Sequence, residues 1–495
     1  MGCVIPRIVV ALLSIAAFGQ QPSSGFVQRD GAKLTLDGKP FRYSGPNIEW
    51  LGLVGYGPHD PNGPRYPSHF EVDDAFDTAK EMGALVVRSQ TMGDSVGCPL
   101  CIEPQLGVFS DRAFDAVDYA IEAAHKRGMR LIIPLIGDCA ECTNGGIGKY
   151  LEWTKQKDYS AFFSDPALIA AYEKHIEAVL NHRNALTGVL YKDDRAILAW
   201  ENCNMCGLGA LFSGPAKMPA YIAWIDTIGG YVKSIDPRHL YLDTTGLFRF
   251  NKAALDTKTP DMITFEYYPH WTAAFGGTQK TTPETFTRDA AAVTGHGKVY
   301  IVNEFGWDVT DWLTRDDLAA LLHALETDVN VSGDGYWALQ AHANNFGWQA
   351  IPANVSDPAY AKTGESGQWW ALYYGGIDTL VMKADDMRAR AQQLRSHAFA
   401  MAGVPVPAHI VPAPPVITSV VFGSLIAWRG SAGAMNYSVQ RQARGATAWE
   451  TICERCATDA DVPWPDLKGN IMAGYKYRVI AYNADDVASV PSESR

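Results

Sequence analysis

Between Phe41 and Ala402, short apolar runs alternate with stretches of helical period, and this alternation constrains the fold more than any other feature of the chain. The runs are Arg42–Ile48, Ala84–Ser89, Arg130–Gly137, Ala196–Asn202, Leu240–Thr245, Met262–Tyr268, Val299–Glu304 and Gly335–Ala341. Between them lie amphipathic patterns at Val72–Met82, Arg112–Arg127, Pro166–His182, Ala220–Ile235, Pro283–Val293 and Arg315–Asp328. A few consecutive apolar residues suit a strand covered on both faces, whereas a 3.6-residue apolar stripe suits a helix lying on such a sheet. Eight strands, each followed by a helix, predict an α/β chain closed into a (β/α)8 TIM barrel. The rival, a doubly wound open sheet, carries a glycine-rich phosphate loop after its first strand, and Ser44-Gly45-Pro46-Asn47 is not one. Ahead of the first strand, Phe26–Leu36 and the Asp37-Gly38 turn read as a hairpin that plugs the barrel floor.

The flanks read differently. Arg7, the apolar run Ile8 to Phe18 and the small-x-small site Ala17-Phe18-Gly19 form a signal-peptide pattern over residues 1–19. That places the chain in the periplasm or outside the cell, with no membrane association after cleavage. The barrel then occupies 20–402, a proline-rich semi-rigid linker 403–415, and a small all-β sandwich 416–495. Strand-like alternation at Ser424–Arg429, Asn436–Gln442 and Tyr475–Asn483, with the turn spacing, resembles a fibronectin type III sandwich.

Lysine and arginine number 42 against 54 acidic residues, with no basic cluster, which argues against a nucleic-acid partner. An aromatic content of 11% suits stacking on sugar rings as well as a large core. Apart from Cys3, the cysteines fall into four C-x-x-C pairs, Cys98/Cys101, Cys139/Cys142, Cys203/Cys206 and Cys453/Cys456. In an exported chain with an even count, disulfides are the expected outcome and no cofactor is required. Zinc held by the pairs near the barrel mouth is the minority alternative.

Chemistry in a barrel of this kind collects where strands end. Glu304 closes the apolar run Val299-Tyr300-Ile301-Val302, so it is a candidate nucleophile. A retaining glycosidase needs a second carboxyl nearby as acid and then base. Around Glu304 stand Arg88 at the end of the second run, Trp200-Glu201-Asn202-Cys203-Asn204 on the fourth, Tyr267-Tyr268-Pro269 on the sixth and Trp337 on the eighth. This ordered set resembles glycoside hydrolase family 5 over roughly Phe26 to Ala402. The opening Asp37-Gly38-Lys39-Pro40-Phe41-Arg42-Tyr43-Ser44-Gly45-Pro46-Asn47 resembles its mannanase and mannosidase branch. The resemblance implies an oligo- or polysaccharide substrate with β-linked, mannose-type sugars. It also implies Glu304 as nucleophile, Tyr268 hydrogen-bonded to it, Arg88 holding its orientation and charge, and Asn204 on the sugar 2-hydroxyl; the Trp337 indole, by its place on the eighth run, is a candidate floor for the sugar site or a packing residue of the barrel.

Two positions depart from the family pattern. Met205 stands where the family's strand-four motif carries its acid/base glutamate, and a thioether cannot shuttle a proton. Glu266 stands two residues before Tyr268, where the family usually has histidine. Three readings stay open: Glu266 has taken over proton transfer, Glu201 performs it, or the chain either keeps a sugar cleft without hydrolysing, as a non-catalytic carbohydrate-binding protein, or cleaves only substrates whose leaving group needs no acid. Glu201 is otherwise a structural or substrate-binding carboxylate, and Asp138 and Glu141 are further carboxyls near the mouth. Trp50, Tyr56, Trp271 and Trp307 are candidate sugar platforms.

Overall fold

The computed structural model describes residues 25–55, 64–137, 145–206, 218–247, 251–268, 283–306, 317–348, 371–378, 382–459, 462–469 and 474–495. The expected signal segment, Cys139/Cys142, Asp138, Glu141, Tyr56, Trp271 and Trp307 lie outside them. A three-stranded antiparallel sheet comes first: β1 (Val27–Asp30), β2 (Lys33–Leu36) and β3 (Lys39–Pro40). Eight parallel strands follow: β4 (Tyr43–Pro46), β5 (Val86–Arg88), β6 (Arg130–Pro134), β7 (Ile197–Glu201), β8 (Leu240–Leu247), β9 (Met262–Tyr267), β10 (Val299–Phe305) and β11 (Val331–Tyr336). They pair in the order β4-β11-β10-β9-β8-β7-β6-β5. The bridge between Asn47 and Arg88 and the bond from Ile48 N–H to the Arg88 carbonyl, 2.9 Å, join the two ends. This is the (β/α)8 barrel.

Around it lie α1 (His69–Glu81), α2 (Asp111–Arg127), α3 (Gly146–Thr154), α4 (Pro166–Leu180), α5 (Met218–Ile235), α6 (Pro283–Gly295), α7 (Asp317–Thr327) and α8 (Ala384–Met401). Their ends are written locally. Ser68 and Glu71 cap α1 reciprocally, and α2 runs from the Ser110 cap to Gly128, whose φ of 73° is the left-handed turn that stops a helix. The hairpin closes the floor as expected: Val27 and Leu34 pack with Val86, Ile132, Leu198, Leu240, Met262 and Ile301.

One strand moved. The eighth was expected at Gly335–Ala341 and is found at Val331–Tyr336. Its interior, Ser332-Gly333-Asp334, carries no apolar signal, yet all three residues are buried. Asp334 accepts from Ser44 Oγ at 2.6 Å and pairs with His397 Nε2 at 2.9 Å, while Gly333 leaves room for the Tyr43 ring.

Beyond the barrel, β12 (Val416–Val421), β13 (Leu425–Arg429) and β16 (Trp464–Pro465) form one sheet. β14 (Asn436–Gln442), β15 (Glu450–Ala457) and β17 (Lys476–Tyr482) form the other. Ile417, Ile426, Trp428, Tyr437, Val439, Tyr477 and Val479 fill the space between them. This unit is docked. Glu81 at the end of α1 takes bonds from His409 (2.5 Å), the Ile410 N–H (3.0 Å) and Arg395 (3.0 Å), so the proline-rich segment is anchored to the barrel. His342 sits buried between Asp74 of α1 (2.9 Å) and Asp459 beyond β15 (3.1 Å). Arg429 lies 4.2 Å above the Phe70 ring. Among the described residues no helix is long and apolar enough to cross a membrane.

Candidate active site

At the C-terminal ends of the strands one guanidinium organises the mouth. Arg88, 2% exposed, grips Glu201 with two bonds, Nε to Oε2 and Nη2 to Oε1, both 2.7 Å. Its Nη1 reaches Glu304 Oε2 at 2.6 Å and Asn47 Oδ1 at 2.9 Å, and its Nη2 reaches Asn204 Oδ1 at 2.6 Å. The planar fork of arginine permits this, since one face binds a carboxylate bidentately while the remaining donors stay free. Tyr268 donates its hydroxyl to the other oxygen of Glu304. Asn303 donates to Glu201 at 3.1 Å, and Asn47 donates to the Asn303 carbonyl at 3.1 Å. These side chains come from five strand ends, those of β4, β5, β7, β9 and β10, so the barrel frame fixes their spacing.

Glu304 ends up with both oxygens engaged and 5% of its surface exposed. Burial raises its pKa, while Arg88 and the Tyr268 hydrogen bond pull it back; the net direction is upward. Arg88 itself stays charged: burial works against it, but Glu201, Glu304 and Glu266 together lift its pKa above the ordinary value.

Glu266 is the odd member. It is the Cα partner of Glu304 across β9 and β10, is 2% exposed, and neither oxygen has a hydrogen-bond partner among the described residues. Burial and the neighbouring Glu304 push its pKa well above the usual carboxylate range; Arg88 opposes this and Glu201 adds to it. The physical reason is a shortage of cations. One guanidinium brings a single positive charge to Glu201 and Glu304 in direct contact, so a third adjacent carboxyl is pushed toward its protonated form.

Sequence reasoning brought Arg88, Glu201, Asn204, Glu266, Tyr268 and Glu304 together, and the structure gathers all six. Glu201 differs in role from a substrate contact: at 0% exposure it lies beneath the surface and anchors Arg88. Trp50 was expected as a sugar platform, but it is 1% exposed and packs in the core with Ile48, Leu51 and Met92. Trp337 is half-buried directly after β11, its N–H bonded to the Phe305 carbonyl at 2.8 Å. Met205 is half-exposed with a positive φ of 63° and sits inside the Cys203–Cys206 disulfide. Cys98–Cys101 and Cys453–Cys456 are likewise closed within their own pairs. Among the described residues no three His, Cys, Asp or Glu side chains converge as a metal site.

Three polar residues at the mouth escaped the sequence reading. Asp94 is fully buried, with neither carboxyl oxygen partnered among the described residues; burial drives its pKa well up, against the pull of Arg88. Glu49 and Gln340 lie just past the ends of the first and eighth strands. The available signal was weak, a polar residue a few positions after a strand-end motif.

Residues 24–260 match the family described as GH family 5 beta-mannosidase-like. The chain is 34% identical over 221 residues to mannan endo-1,4-beta-mannosidase 2 of Oryza sativa subsp. japonica, covering 43% of this chain and 46% of that protein. It is 31% identical over 221 residues to mannan endo-1,4-beta-mannosidase 5 of Solanum lycopersicum, covering 44% and 50% respectively. The chain thus spans about half the length of these curated relatives. Among solved structures, the endo-1,4-beta-mannanase from Rhizomucor miehei superimposes with a TM-score of 0.59 at 24% identity, over 77% of this chain and 100% of that one. At that identity the likeness establishes the barrel fold and nothing finer.

Proposed function

We propose that this protein is an exported, retaining glycoside hydrolase of family 5 that cleaves β-linked, mannose-type glycans or glycosides. The observation that carries the reading is the clamp on Glu304, a strand-end carboxyl paired with Arg88 and oriented by Tyr268. The match of residues 24–260 and the mannan-degrading relatives support the sugar class. The fibronectin-like character of residues 416–495 belongs to the same reading.

In this mechanism Glu304 attacks the anomeric carbon, and the bond to the leaving oxygen breaks with its electron pair on that oxygen. Glu266, neutral at rest, supplies the proton in place of the glutamate replaced by Met205. In the second step water attacks the glycosyl ester, Glu266 takes back a proton, and Glu304 leaves as carboxylate. Asn204 binds the 2-hydroxyl, and Trp337 lies under the ring. No metal or organic cofactor enters any step.

The second reading, a carbohydrate-binding protein without turnover, is favoured by Met205 itself. An assay of wild type, Glu304→Gln and Glu266→Gln against aryl β-mannosides and mannan separates the two. The hydrolase reading expects Glu266→Gln to cut kcat by about 10²–10⁴ on poor leaving groups and far less on activated aryl glycosides. A wild type that binds mannan yet hydrolyses none of these substrates overturns it.

A further inference from the structure

Two side chains at the mouth have an unsatisfied oxygen and no part in the mechanism above. Glu49 follows β4, with its main-chain carbonyl held by Thr91 N–H (3.0 Å), Thr91 Oγ1 (2.7 Å) and Ser89 Oγ (3.2 Å). Gln340 follows β11, fixed by its N–H on the Leu372 carbonyl at 3.0 Å, while the preceding Leu339 N–H bonds the Asn47 carbonyl at 3.0 Å. β4 and β11 are paired in register, Tyr336 opposite Pro46, so the two loops leave the barrel side by side. Gln340 and Glu304 both act on the Glu49 carboxyl, Gln340 drawing its pKa down and Glu304 pushing it up.

The pair is incomplete. Glu49 Oε2 and Gln340 Oε1 are buried and have no hydrogen-bond partner among the described residues, and Gln340 is only 5% exposed. A carboxylate can only accept, so the Gln340 NH₂ faces Glu49 and its carbonyl oxygen points elsewhere. Two desolvated acceptors fixed next to each other carry a cost unless donors arrive. A sugar offers suitable donors, hydroxyls on neighbouring carbons.

We propose that Glu49 and Gln340 form a hydroxyl-binding pair that accepts two neighbouring hydroxyls of the sugar presented to Glu304 and thereby sets which sugar the cleft takes. This deepens the hydrolase reading and rests on it. Both are positioning and specificity residues; proton transfer stays with Glu266. Burial, opposed by a main-chain hydrogen bond and Gln340 and reinforced by Glu304, holds the Glu49 pKa up at about 7. Protonation there removes an acceptor, so substrate affinity weakens as pH falls through this value.

The test is steady-state kinetics of Glu49→Gln and Gln340→Met on aryl β-mannosides with good and poor leaving groups, together with the 3-deoxy and 4-deoxy analogues. Expected is a rise in KM of about tenfold to a hundredfold, equal for all leaving groups and absent on the analogue lacking the bound hydroxyl. In wild type KM rises as pH falls through about 7, and in Glu49→Gln it does not. A loss confined to kcat that grows with leaving-group pKa would instead make Glu49 the proton donor and overturn the proposal. Unchanged kinetics in both variants overturn it too. Glu49→Gln preserves side-chain size, so it guards against Gln340→Met failing to fold. If wild type hydrolyses nothing, calorimetric titration with methyl β-mannoside decides independently: weaker binding by both variants supports the pair, and equal binding sinks it.

Discussion

The mouth of the barrel and the seam where the sandwich docks both bury several carboxylates among few cations, and they resolve the problem in opposite ways. At the seam the charges are answered. Asp74 accepts from the His342 ring and its N–H at 2.9 Å, His342 also faces Asp459, and Glu81 accepts from Arg395, His409, Tyr374 and the Ile410 N–H. At the mouth Arg88 satisfies Glu201 and Glu304, while Glu266 and Asp94 keep both oxygens unpaired among the described residues. A satisfied buried cluster holds elements together, whereas a frustrated one stores protons where they can be moved.

The largest expected effect lies at the mouth. Glu304→Gln should lower kcat by about 10⁴-fold or more, since a group acting as nucleophile has no substitute. Folding should survive, because the amide still accepts from Tyr268. A folded but inactive variant by circular dichroism and assay sharpens the contrast. Residual activity within tenfold of wild type would break it.

Next comes Arg88→Met. It strands Glu201 at 0% exposure with Asn303 as its remaining side-chain partner among the described residues. Breaking a buried pair from one side costs about 3–5 kcal/mol. Urea unfolding should show a loss of that size, and Glu201→Gln in the same chain should restore much of it. If the double variant is no better than the single one, the buried pair is not what the variant breaks.

How much of this was legible beforehand follows the same division. Glu304 was visible because a strand's apolar run announces where it ends, while Arg88, Glu201 and Tyr268 stood out through the ordered family resemblance around it. The eighth strand was misplaced because Ser332-Gly333-Asp334 is buried through partners remote in sequence, Ser44 and His397, which a local pattern cannot register. Trp50 could not be sorted between platform and core, since an indole beside a strand end suits either until neighbours are known. Glu49, Asp94 and Gln340 lie in loops, where no periodicity marks which way a side chain faces. The docking of the sandwich was invisible for the same reason: His342 and Asp459 belong to separate units, and the proline-rich segment reads as a spacer although Glu81 fastens it.

The seam answers to pH. Burial alone would lower the His342 pKa, but Asp74 and Asp459 outweigh it and raise it to about 10; within the barrel, Asp334 and Glu326 likewise outweigh burial and raise His397 to about 9. A histidine whose folded pKa exceeds its unfolded value of about 6.5 adds stability in full below that value and loses it as pH climbs to the folded pKa. Unfolding midpoints should therefore fall between pH 6.5 and about 10, and His342→Gln should flatten part of that slope. A slope identical in the variant would mean the His342 bridge contributes nothing to it.

The smallest expected effect on stability has the opposite sign and sits at Glu266. Its folded pKa lies well above the ordinary value of 4.5, chiefly through burial and Glu304. An acid that holds its proton in the folded state, while the unfolded chain releases it, destabilises the fold increasingly as pH rises above the unfolded pKa. Glu266→Gln removes that burden and keeps a neutral side chain of the same size. Near neutral pH the variant should be more stable than wild type by about 1 kcal/mol, and below about pH 4 the two should converge. Chemical denaturation at both pH values measures this directly. A variant that is less stable at neutral pH would mean that Glu266 is ionised and paired after all, and the mouth would then resemble the seam rather than oppose it.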